Sequence, residues 1–369
     1  MTQYYINDKE VYDALESTKQ KITNNALLEI LKNRGVILSS RTEREDLVEA
    51  LSEFDFMYHE IENLSSKIET SPRRARYKTT EIHNVEGATE EDIRAVLEEI
   101  KKTRRPEYNE RFKVSKDNKT YKLNVEYTET DLSKTTLKQK QENSAEIFIE
   151  KIGNTLVIQS PIKDRAKEIT ERLKKQFKNK FEDSEPFEIS LIDITDAKLR
   201  TQFFINILSE TESLTYHTVT SVGVESRIYI PGQDEEISTY SITDGNETED
   251  SNEIASSELQ ELVKASLSGT KILTTSEYKN LIENGFFISH IIWECSDWEG
   301  RYRLRVGFEN PAKASGFNYD VLSMHKRNGP SEFLKTRVKL SNTKRRQIFE
   351  TIQHAAKESY KKVREESQK

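Results

Sequence analysis

The chain of 369 residues is charge-rich, 33% charged against 34% hydrophobic, with a net charge of −7. That length predicts two or three domains, and 15 Phe, 15 Tyr and long aliphatic runs exclude a wholly disordered chain. With 12 Gly, 7 Pro and no internal period, repeat arrays are excluded; no apolar run is long enough for a membrane span and no apolar targeting region follows Met1, so a cytoplasmic protein without a membrane partner is expected.

Residues 8–70 predict helices only. "DKEVYDALESTKQKI" places Val11, Leu15 and Ile22 near one stripe. "NNALLEILKNRG" offers Asn24 or Asn25 as an N-cap, Leu27, Leu28 and Leu31 as an apolar face, and Gly35 as the left-handed residue that ends it. "SSRTEREDLVEALSEF" restarts a helix behind a Ser or Thr cap with acidic residues in its first turn, and sets Leu47, Val48 and Leu51 against Leu28 and Leu31. "FDFMYHEIENLSSKI" adds a further helix, and the basic stretch at 72–80 reads as a boundary.

"TEEDIRAVLEEIKKTRR" is helical, with Thr89 and Asp92 at capping-box spacing and Pro106 as its stop. "RFKVSKDNKTYKLNVEYTE" and "AEIFIEKIGNTLVIQS" alternate as hairpins, the second turning at Gly153 and Asn154. Pro161 opens an amphipathic helix with Ala166, Ile169, Leu173 and Phe177 on one face. "PFEISLIDI" reads as a strand and "DAKLRTQFFINILSE" as a helix. After the alternating "YHTVTSVGVESRIYI", residues 233–262 hold ten acidic groups and no Lys or Arg, a loop leading into the helix "SSELQELVKASLSG" and the strand "TKILT". The helix "SEYKNLIENG" follows, then the hairpin "FFISHIIWECSDWEGRYRLRVGFENP", the strand "FNYDVLSMHK" and a basic last helix capped by Ser341 or Asn342. The expected fold class is α+β: a helical N-terminal module over 1–82, then two mixed domains, 83–212 and 213–369, with mainly antiparallel sheets and packed helices.

Several chemistries are excluded by missing residues. A single cysteine, Cys295, precludes an internal disulfide or a Cys-based zinc site. The six histidines form no H-x-x-x-H or H-x-H pair, so no metal centre is expected. G-x-x-x-x-G-K-[ST], G-x-G-x-x-G and G-x-S-x-G are all absent, and no cofactor is expected. A metal-dependent nuclease site needs carboxylates and a Lys on neighbouring strands. Asp193, Asp196 and Lys198 have that composition, while Asp196 is equally placed to cap the next helix.

The N-terminal stretch carries the one resemblance. An apolar helix "LLEILKNRG", an extended "VILSS" and a helix with "DLVEAL" resemble the SAP-like, helix-extension-helix DNA-binding modules over residues 26–51. The resemblance implies that the linker and second helix lie against a phosphate backbone. Independently, Lys32, Arg34, Arg41 and Arg44 flank the bend, and Arg73, Arg74, Arg76 and Lys78 follow with no acidic residue before Glu81. Such runs neutralise phosphates and release counterions. Lys344, Arg345 and Arg346 stand in the first turns of the last helix, where cations oppose the helix dipole, so an anionic partner is expected there: a ligand, or the acidic residues 234–250. Residues 335–369 carry eleven basic and four acidic groups. The expected function is a non-enzymatic recognition or adaptor protein gripping a nucleic-acid backbone, DNA ahead of RNA, in prokaryotic genome maintenance or phage defence. The alternatives are a nuclease using Asp193, Asp196 and Lys198, or an interaction protein with a protein partner or a second copy of itself.

Overall fold

The computed structural model describes residues 6–20, 22–68, 75–103, 105–117, 119–133, 136–211, 213–226, 264–269, 272–329 and 332–369. In chain order the first elements are α1 (Asp8–Glu16), α2 (Asn24–Asn33), α3 (Arg44–Ser52), α4 (Tyr58–Ile68), β1 (Tyr77–His83) and α5 (Glu90–Lys102). They are followed by β2 (Arg111–Asp117), β3 (Thr120–Thr130), α6 (Thr136–Gln139), β4 (Lys140–Ile152), β5 (Thr155–Pro161), α7 (Asp164–Lys180) and β6 (Glu185–Phe187). The rest are α8 (Ala197–Glu210), β7 (Thr215–Glu225), β8 (Lys264–Ser268), α9 (Ser276–Glu283), β9 (Phe287–Ser296), β10 (Gly300–Asn310), β11 (Ser315–Lys326) and α10 (Asn342–Ser367). The chain divides into two compact units, Met1–Arg74 with Thr89–Ile147, and Ala75–Ala88 with Phe148–Lys369.

In the first unit, α1 opens on a capping box between Asn7 and Glu10. Thr23, not Asn24, caps α2. Gly35 ends α2 at φ +81, the left-handed region a side chain avoids. α3 starts after Glu43 without a side-chain cap. Leu15, Leu27, Leu31, Leu47 and Leu51 pack into one apolar cluster that also takes in Leu137 of α6, and Ser65 Oγ donates to the Leu137 carbonyl at 3.0 Å. α5 carries the predicted capping box at Thr89 and Asp92 and buries Ile93, Val96, Leu97 and Ile100 on one face.

The second unit is built on strands in the order β5-β1-β11-β10-β9-β7-β8, with β6 beside β1. One face is apolar. Tyr302, Leu304 and Val306 alternate inward along β10, beside Trp293 of β9 and Tyr319 of β11. α8 and α10 cover that face with Phe203, Phe204, Phe349 and Ile352; each such side chain contributes roughly 1.5–3 kcal/mol by leaving water. Ser359 Oγ of α10 donates to the Phe203 carbonyl of α8 at 2.7 Å, locking the helix pair. Buried Arg200 of α8 donates to the carbonyls of Ile194 and Ala312, and burial lowers its pKa to about 10.

The expected fold class needs correction. Among the described residues eleven strands join one large antiparallel sheet rather than two separate ones. The N-terminal helices are no module of their own either, since their core is completed by Leu137 and their unit includes β2 and β3. The misreading has a local cause. The last four residues of the stretch taken as a basic boundary, 77–80, belong to β1, paired with β5 from Tyr77↔Pro161 to Ile82↔Leu156 and with β11 at Tyr77↔Tyr319. Its seven residues carry Lys78 and Glu81, which disguise a strand central to the sheet. Three smaller corrections follow. Residues 264–268 form a strand against β7, with Val222↔Leu267 in register, rather than the end of a helix. "TKILT" yields a 3-10 turn at Ile272–Thr274 instead of a strand. Pro161 ends β5, and α7 starts behind Lys163.

Candidate nucleic-acid interface

Five of the cations singled out by sequence, Arg34, Arg44, Lys78, Lys344 and Arg346, are occupied by the protein's own groups. Arg34 lies over the rings of Phe54 and Phe56, bridges to Glu60 at 2.7 Å and donates to the Asp55 carbonyl. Arg44 donates to the Ile22 carbonyl at 2.7 Å and the Leu15 carbonyl at 3.0 Å, tying α3 to α1 and the α1–α2 connection. Both are structural clasps within the first unit. Lys32 and Arg41 are exposed on the same unit. Arg73 and Arg74 lie outside the described residues, as do the acidic residues 234–250.

In the second unit Lys78 bridges to Glu188, which also takes Lys174 and the Thr80 hydroxyl. Burial works to raise the Glu188 carboxyl, and these donors outweigh it, leaving the pKa below the ordinary range. Lys344 is held by Asp297 at 2.6 Å and Glu299 at 2.7 Å, from the β9–β10 turn. The first-turn cation of α10 thus has its anionic partner inside the same unit. Arg346 is shared by Glu150 and Glu350, and Arg345 is half-buried beside it. Asp196 caps α8 by accepting from the Lys198 N–H at 2.7 Å. Asp193 bridges to Arg364 at 3.0 Å, while the Lys198 side chain is exposed. Among the described residues no group of three or more His, Cys, Asp or Glu could hold a metal ion.

Sequence reasoning missed the sheet face turned away from α8 and α10. Along β10 the outward positions are Arg301, Arg303 and Arg305, each half-exposed between buried Tyr302, Leu304 and Val306. Side chains two apart on a strand share a face at a spacing of about 6.7 Å, so the three guanidiniums form a ladder. Cross-strand register names their neighbours. Arg305 lies opposite Asp320 of β11 and Ile292 of β9, and Arg303 opposite Ser323 and Glu294. Arg301 lies opposite His325 and Ser296. Arg301 bridges to Glu294, and Arg303 Nε donates to the Thr220 hydroxyl at 3.3 Å. A guanidinium has five N–H donors, more than one such acceptor uses, so Arg301 and Arg303 keep donors for a ligand from solvent. The signal was present as "RYRLRV", a strict alternation of Arg with apolar residues.

The next row across this face runs Asn318, Gly307, His290, Gly223 over β11, β10, β9 and β7. A Cβ at Gly223 would stand 2.0 Å from His290 Cε1, so the imidazole fills the space where a β7 side chain would be. Burial, with the positive charges of Arg305 and Arg76 nearby, pushes the His290 pKa down to about 4, and the ring is neutral at pH 7. Ser289 and His290 meet through Oγ and Nδ1 at 3.4 Å. Asn318 is 1% exposed; its Nδ2 donates to the Gly316 carbonyl, while its Oδ1 has no hydrogen-bond partner.

No family model matches the chain, and no curated protein matches its sequence. Among the described residues no helix is long and apolar enough to cross a membrane.

Proposed function

We propose that this protein is a non-enzymatic nucleic-acid-binding protein that grips the phosphate backbone on the β10 face of its second unit. The observation carrying the reading is the ladder of Arg301, Arg303 and Arg305, half-exposed on one strand face. Three guanidiniums spaced at every second position of one strand suit a polyanion, since arginine binds phosphate through paired N–H donors. Arg34, Arg44, Lys78, Lys344 and Arg346 also spend donors on internal acceptors, as Arg301 does on Glu294, but none of them lies in a row of three cations on one strand face. The backbone-binding role expected from composition is kept; the surface moves from the N-terminal helices to the sheet.

Binding of a fluorescent 20-nucleotide oligomer, titrated across salt concentrations, tests the proposal. Affinity should fall steeply with salt, and Arg301→Ala/Arg303→Ala/Arg305→Ala should lower the log–log slope by about 2, at about 0.7 per phosphate contact on a single strand. A triple variant that melts like the parent and keeps the parental slope would contradict it, as would salt-insensitive binding by the parent.

A further inference from the structure

The turn between β9 and β10 holds Trp298 out to solvent, 78% exposed. Nothing in the turn calls for an indole. Asp297 Oδ1 accepts from the Glu299 N–H at 2.8 Å, the Gly300 N–H at 3.1 Å and the Tyr302 hydroxyl at 3.0 Å. The Asp297 carbonyl accepts from Arg327 Nη2 at 2.7 Å, and the Glu299 carbonyl from the Arg327 N–H at 3.0 Å. Lys344 of α10 grips both carboxylates. The turn is thus fixed by groups of β10, α10 and the residue after β11, whatever side chain stands at 298. Short hairpin turns favour Asn, Asp and Gly, and an indole left in water forgoes the gain of burial. The Lys344 ammonium lies over the ring, 5.6 Å from its centroid, and the exposure leaves the opposite face open. A large aromatic ring on so rigid a mount has little freedom left to lose on binding.

The surroundings of the ring are cationic. Gly300 stands opposite Lys326, and Arg301 opposite His325. Successive residues alternate between faces, so Arg301 and Lys326 leave the sheet on opposite faces, one on either side of the turn. Arg301 is three residues from Trp298, at most about 10 Å of backbone. Lys326 is exposed, as are Lys335, Arg337 and Lys339. The last three belong to a stretch bonded to the end of β11, through the Leu334 N–H to the Lys326 carbonyl and the Val338 N–H to the Met324 carbonyl, both at 2.9 Å. Among the described residues none of these four cations makes an ion pair, whereas the two carboxylates of the turn share Lys344. An open aromatic face among unengaged cations is the combination by which proteins hold single-stranded nucleic acid. We propose that an unpaired base stacks on Trp298 at the end of the sheet, while the phosphates beside it meet Arg301 on one face and Lys326 on the other. This rests on the backbone-binding reading above and adds the ligand class: single strands over duplexes. Only an unpaired base has a face to offer, because a duplex keeps its bases stacked on each other. Every base has such a face, so stacking here is tolerant of sequence.

The chain has two tryptophans, and the other, Trp293, is fully buried, so a change in exposed indole emission reports on Trp298. Oligothymidylate of 20 nucleotides, titrated at fixed salt, should quench that emission in the parent, and the same strand annealed as duplex should not. Trp298→Ala should weaken single-strand binding, read from the anisotropy of a labelled oligomer, by about 5- to 150-fold, the range of one lost base stack, and should erase the preference over duplex. Trp298→Phe should keep most of the affinity, which a general disturbance of the turn would not predict. Lys326→Ala should lower the log–log salt slope by about 0.7, one phosphate contact on a single strand. Parental single-strand affinity in a folded Trp298→Ala variant, or quenching by duplex as deep as by single strand, would overturn the stacking site and leave the backbone reading standing. Salt-insensitive binding by the parent would instead overturn the backbone reading beneath it.

Discussion

Gly223→Ala is the sharpest structural test of the site. The new methyl carbon would stand 2.0 Å from Cε1, 2.2 Å from Nδ1 and 2.9 Å from Nε2 of His290, where ordinary contact is about 3.5–4.0 Å. The ring has to retreat, and such overpacking costs about 1–3 kcal/mol. Replacing a strand glycine by alanine returns about 0.5–1 kcal/mol, so the single variant is destabilised by up to about 2.5 kcal/mol. In a His290→Ala background there is no ring to displace. The same substitution then stabilises by the glycine gain alone. Urea unfolding of the four proteins closes the cycle, and the coupling energy should equal the overpacking cost of about 1–3 kcal/mol. Additive effects, with Gly223→Ala equally harmful in both backgrounds, would mean that the glycine answers to something other than the imidazole.

Three further outcomes are expected. The folded His290 pKa of about 4 lies below the ordinary 6.5, so the unfolded chain binds more protons between those values; stability should be full above pH 6.5 and fall as pH drops towards 4, by about 2 kcal/mol once discounted for partial exposure, and His290→Gln should flatten that fall in pH-dependent urea midpoints. Arg44→Ala should cost about 1–3 kcal/mol by stranding the Ile22 carbonyl, the Leu15 carbonyl keeping its bonds from Thr18, visible as faster hydrogen exchange in α1–α3, whereas exposed Lys32→Ala should stay within about 0.5 kcal/mol. Asp196→Ala should cost about 1 kcal/mol as a lost helix cap; disappearance of a Mg²⁺-dependent cleavage in that variant would instead give Asp196 a catalytic role.

The elements that sequence made legible are those with one strong period or a complete cap. α5 announces itself through Thr89 and Asp92, α10 through Ser341 and its long apolar stripe, and the β4–β5 and β9–β10 hairpins through alternation around short turns. β1 was hidden because its outward Lys78 is matched by Glu188, over a hundred residues away, and its inward Glu81 by Lys357 of α10. Local composition therefore read as a linker. The same distance effect misdirected the cation arguments. That Lys344 answers Asp297 and Glu299, or that Arg44 clasps the end of α1, depends on tertiary placement that no run of charges reveals. The arginine ladder is legible in principle, since "RYRLRV" puts three cations on one face of any strand it forms, although its charges recur at period two and make no contiguous basic run.

Arginine-selective modification with phenylglyoxal, read residue by residue by mass spectrometry with and without a saturating 20-nucleotide single strand, bears most directly on the claim that the β10 face is the binding surface. Arg303 and Arg305 should lose reactivity when the strand is bound, while exposed Arg41 and half-buried Arg345 should react as before. Unchanged reactivity along β10, with protection appearing at Arg41 or Arg345 instead, would contradict the account.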